Sequence, residues 1–159
     1  MLLIITIANM QLFYILQSSI HRSLCILLGI VFILSAITKA FSLKTFEGEV
    51  MLYLEIYFNS WLSDYSIHVA ALICLAELTT GIFYLLPKLS RYANLAGLAA
   101  LSFFVYLTGD NYFNPSMVGR IESCGCFGEL IHFTPLQSFI KSCVLWVIAL
   151  ICMVSGKNH

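Results

Sequence analysis

Charge is what this sequence has least of. Eight Lys and Arg with eight Asp and Glu make up 10% of the 159 residues, while 60% are hydrophobic. A soluble domain is about 25% charged, so a soluble globular protein is not the natural reading. The formal net charge is +0, which removes the basic surface a nucleic-acid partner needs. Proline is scarce, and Pro87 and Pro135 stand at the edges of apolar runs rather than inside them. No P-loop, dinucleotide fingerprint, HExxH or Ser-His-Asp signature occurs, which leaves nucleotide chemistry, zinc proteolysis and hydrolysis without support. Internal repeats and low-complexity tracts are also missing.

What remains is long apolar stretches. The mean hydropathy is +0.93, and a membrane span needs about 20 mainly apolar residues. Residues 24–41 form a first span whose one charge, Lys39, stands near its end, where a lysine can snorkel to the interface or pair with a connector carboxylate. Residues 65–86 form a second, holding His68 and Glu77 and stopped by Pro87. Residues 92–109 form a third, without charge. The fourth runs from Pro135 to Ser155. Thr134 suits its N-cap, Pro135 its first position, and Gln137 completes a T-x-x-Q capping box. The expected fold is all-α and integral to the membrane, a bundle of four transmembrane helices. Gly29, Gly81 and Gly97 are suited to close helix packing.

Two segments fall outside these spans. Residues 1–23 are apolar and uncharged until His21 and Arg22, and lack the basic start of a signal peptide. They read as an N-terminal extension of the first span or an interfacial helix, with residues 24–155 as the membrane domain. Residues 43–64 mix Glu47, Glu49 and Glu55 with Val50, Leu54, Tyr57 and Trp61, the pattern of an amphipathic element at the membrane surface.

Four antiparallel spans place Arg22, Lys88, Arg91 and Lys157 on one side with no acidic residue, and the acidic 42–64 connector and 110–134 loop on the other. The purely basic 87–91 turn is the cytoplasmic signal. Both termini are then expected in the cytoplasm, and the 110–134 loop in the periplasm, where disulfides persist.

Six cysteines are present, four of them in apolar stretches. That distribution is not a secreted disulfide framework. The other two, Cys124 and Cys126, flank Gly125 in the loop run Glu122-Ser-Cys-Gly-Cys-Phe-Gly128. Two residues of backbone span at most about 7 Å, and a disulfide needs its Cα atoms about 4.4–6.8 Å apart. The pair can bridge if the chain turns at Gly125. Such a ring constrains the unfolded chain little, and a strained, exposed disulfide is oxidising and labile. A pair that passes its disulfide on fits better than a structural staple. A metal site is the third reading, but beyond the nearby His132 there is no second cysteine pair, and zinc needs four ligands. Arg120 could stabilise a thiolate, opposed by Glu122 and Glu129.

Cys143, two turns into the fourth span, is a candidate third thiol or a small buried hydrophobe. Cys25, Cys74 and Cys152 take the second reading. Glu77, in the middle of the second span, is either an intramembrane functional carboxyl or one end of a hydrogen bond between helices. No cofactor motif is present, and a membrane quinone is an acceptor for which the residues offer no support.

The run Cys124-Gly-Cys-Phe-Gly128 followed by a Thr-Pro-Leu helix start resembles the methylamine-utilisation MauE family, which is grouped with DoxX-like membrane proteins. The first span with Ser35 and Lys39, and the second with Ala76-Glu77-Leu78 and Gly81, are similar to that family's opening helices. The resemblance covers residues 24–155. It implies a four-helix inner-membrane protein that assists disulfide formation or transport in the maturation of methylamine dehydrogenase, beside a periplasmic thioredoxin-like partner. Cys124 and Cys126 become the redox pair on this resemblance. The C-x-C spacing departs from the C-x-x-C of the vitamin K epoxide reductase family, so quinone reduction does not transfer. The rival reading is a non-enzymatic anchor or scaffold for a thioredoxin-like protein.

Overall fold

The computed structural model describes residues 2–58, 60–114 and 134–155, with the backbone alone for residues 2–18 and 60. Among these residues every element is helical: α1 (Leu2–Phe41), α2 (Leu43–Tyr57), the single turn α3 (Ser60–Ser63), α4 (Ser66–Leu85), α5 (Ser90–Phe113) and α6 (Pro135–Ser155), with a 3-10 turn at Pro87–Leu89 between α4 and α5.

Four segments are long and apolar enough to cross a membrane: Ser19–Phe41, Ser66–Leu85, Pro87–Phe113 and Pro135–Ser155. The expected four-helix membrane fold is what the chain forms. The spans are apolar on all sides, since Leu72, Leu95, Phe103 and Val144 point outward. In water these faces would associate; in lipid they meet an equally apolar solvent.

α1 runs without a break through His21, Arg22 and Ser23. A helix of 40 residues rises about 60 Å, twice the roughly 30 Å hydrocarbon layer, and is longer than one crossing needs. α1 packs on α4 and α6, and α5 on α6 and α4, which closes a ring. α2 lies against α4 through Phe46, Val50 and Leu54, which cluster with Ala70 and Cys74. The polar edge of α2 is tied down where the Ser66 hydroxyl donates to Glu47 at 3.0 Å.

Gly29 and Gly81 set the α1–α4 spacing. A Cβ on Gly81 would stand 2.7 Å from Ile33 and 2.9 Å from the Gly29 carbonyl oxygen. Gly97 leaves room on α5 for the buried Tyr84 ring. At the start of α6 the capping box forms as expected: the Gln137 N–H donates to the Thr134 hydroxyl at 3.3 Å, and the Thr134 N–H to the Gln137 side chain at 3.0 Å.

Candidate functional site

Glu77 is 4% exposed and forms an ion pair with Lys39, which is 0% exposed. Neither expectation for Lys39 holds: it does not snorkel, and its partner is not on the connector. The direction of its side chain explains this. In a helix each Cα–Cβ bond tilts toward the N-terminus. Lys39 closes a span, so its side chain points back into the membrane rather than out to water.

Three elements besides α1 enclose the ammonium. α4 supplies the carboxylate. Phe46 of α2 and Phe104 of α5 place their ring centroids 5.1 Å and 4.7 Å from Nζ, within cation–π range. Two charges buried alone in hydrocarbon would each be costly; paired and flanked by aromatic faces they are tolerated. The second carboxylate oxygen of Glu77, Oε2, is buried without a hydrogen-bond partner.

Glu77 also borders a cavity of about 30 Å³ inside the ring, whose other polar lining is Ser35, Lys141 and Ser142. One water needs roughly 10–15 Å³ by this measure, so the cavity has room for one or two. Chemically the arrangement can hold a hydrogen-bonded water at the Oε2 of Glu77. Cys143 is half-buried and unbridged. Cys124 and Cys126, with Arg120, Glu122, Glu129 and His132, lie outside the described residues.

In the last turn of α5 the Asp110 carboxylate accepts a hydrogen bond from the Tyr57 hydroxyl of α2. Partial burial and then the carboxylate beside it push the Tyr57 phenol above its ordinary value. Among the described residues no group of three His, Cys, Asp or Glu is arranged to hold a metal ion.

The opposite end of the bundle holds residues that sequence reasoning did not join. Cys25 of α1 and Cys152 of α6 meet in the core, beside His21, Tyr84 and Asn94. The available signal was His21 and Cys25 four apart on one helix, which places them on one face.

The chain matches the family model described as "Methylamine utilisation protein MauE" over residues 10–155. It belongs to the MauE family. The match takes in the loop that carries Cys124 and Cys126, and begins within the apolar N-terminal stretch. The chain is also 30% identical over 163 aligned residues to Protein TlpB of Flavobacterium psychrophilum, covering 90% of this chain and 40% of that protein. The chain thus spans less than half the length of that relative. No solved structure matches it. Four spans and this family make it a multi-pass membrane protein.

Proposed function

We propose that this MauE-family protein takes part in thiol–disulfide exchange through Cys124 and Cys126, on the periplasmic side of the inner membrane. A thioredoxin-like protein is the exchange partner, and the service rendered is maturation of a redox protein, as the family's description in methylamine utilisation suggests. The observation that carries this is the C-G-C-F-G run in a chain that matches the family model across that run. A thiolate of the pair attacks the partner's disulfide, and the second cysteine resolves the mixed disulfide. Both termini are then cytoplasmic.

The test is to trap the redox state in membranes by acid quenching and mass-tag alkylation, then repeat it with Cys126→Ser. The expected result is a pair found in both states and a covalent adduct to a partner in the variant. A pair that stays oxidised under mild reductant, with no adduct, refutes exchange. One observation favours a second reading: in Protein TlpB the matched segment is 40% of a longer chain, as a membrane anchor for another module would be. Replacing both loop cysteines would then leave function intact.

A further inference from the structure

Cys25 and Cys152 are 1% and 0% exposed, and both are free thiols. They belong to one buried core cluster, where α1 meets α6. His21, one turn before Cys25, places Nε2 3.7 Å from the Cys25 sulfur and 2.9 Å from the Cys152 carbonyl oxygen. A carbonyl only accepts, so this ring nitrogen carries its hydrogen and donates it to the Cys152 carbonyl, with the Cys25 sulfur beside it. The Asn94 amide donates to the same carbonyl at 3.4 Å. The Asn94 Oδ1 and the Tyr84 hydroxyl are buried here without hydrogen-bond partners. Cysteines that merely fill a core sit among apolar groups alone; here an imidazole, an amide and a phenol join the apolar cluster around two neighbouring thiols, which are the surroundings of a reactive pair.

We propose that Cys25 and Cys152 are a second dithiol–disulfide pair, at the end of the bundle opposite the 110–134 loop, and that its co-reactant is a low-molecular-weight disulfide. This does not rest on the loop cysteines. Burial leaves no surface on which a protein disulfide could dock, so the co-reactant must be small enough to enter between the helices. Cys25 attacks, because the His21 imidazole stands beside its sulfur and its ring dipole stabilises the negative sulfur that forms. A bond forms between Cys25 and one sulfur of the small disulfide, its S–S bond breaks, and the departing thiolate takes up the proton that Cys25 gave. Cys152 then attacks the Cys25 sulfur and expels the second small thiolate, which takes the Cys152 proton. The two cysteines are oxidised to one disulfide, and the small disulfide is reduced to two thiols.

The experiment uses the full chain in membranes with Cys74, Cys124, Cys126 and Cys143 replaced by Ser, so that only this pair remains. Cystamine is added, and the protein is quenched in acid, unfolded, alkylated and weighed intact. Both alkylatable thiols are expected to vanish together with no cystamine mass retained. Adding Cys152→Ser should instead leave a stable cystamine adduct on Cys25, and His21→Gln should slow its formation. A version with Ser23→Cys as its single thiol reports that cystamine reaches this end. Full alkylation of both buried thiols, under conditions where the Ser23→Cys reporter is fully modified, overturns the proposal. So does an adduct retained on each cysteine with no internal bond.

Discussion

Arg22 and Lys39 bracket one span of α1, and the bundle treats them in opposite ways. Arg22 opens the span, so the helix geometry directs its side chain outward. There it donates to the carbonyl oxygens of Tyr84 and Leu85, at 3.4 and 2.6 Å, which are left over at the end of α4. A cation at a helix C-terminus satisfies orphan acceptors and meets the negative end of the dipole. Lys39 closes the span and is directed inward, where only another charge can answer it. Position along the helix decides which cation is served by backbone and which requires a carboxylate.

The difference is broken most severely at the inner pair. Lys39→Ala or Glu77→Ala leaves one uncompensated charge buried, and should destabilise the bundle by about 3–5 kcal/mol. The double replacement Lys39→Met with Glu77→Leu should recover most of that loss. Thermal unfolding in detergent would check both, and a double variant as unstable as the singles would contradict the account. Between the two ends, Gly81→Ala must push α1 and α4 apart against Ile33 and the Gly29 backbone. A loss of about 1–3 kcal/mol is expected in the same assay, disturbing both ends at once.

Arg22→Gln tests the outer cation and should cost less, about 1 kcal/mol, since the carbonyls it leaves can turn to water. A loss as large as that of Lys39→Ala would show that the two ends are not treated differently. The smallest effect belongs to Tyr57. Its folded value lies above the unfolded value of about 10, so its contact with Asp110 is fully present below pH ~10 and is lost as pH rises through the folded value. Tyrosine absorbance should show a late ionisation step that Tyr57→Phe diminishes.

Most of the fold was legible because lipid imposes a simple rule: about twenty apolar residues make a span. Residues 92–109 understate the third helix, since Asp110 and Asn111 read as loop yet continue α5 to Phe113. The capping box at Thr134 and the close packing at Gly29, Gly81 and Gly97 were readable from residue type alone. The partner of Glu77 was not. Lys39 is 38 residues away in sequence and near a span end, so hydropathy places the two at different depths, and only the backward tilt of the lysine brings them together. Cys25 and Cys152 are separated by nearly the whole chain, and nothing in local pattern reports that α1 and α6 are neighbours.

The α1–α4 contact also bears on how the chain enters the bilayer. Translocon-based scales charge about 2.5–3.5 kcal/mol for a lysine or acidic residue deep in a lone helix. Ser19–Phe41, carrying Lys39, emerges from the ribosome ahead of Ser66–Leu85, which carries Glu77. Each lowers the other's insertion penalty once both are present. The first two spans therefore partition most favourably as a hairpin, with the Phe46 helix folding over their shared charge before the remaining spans arrive.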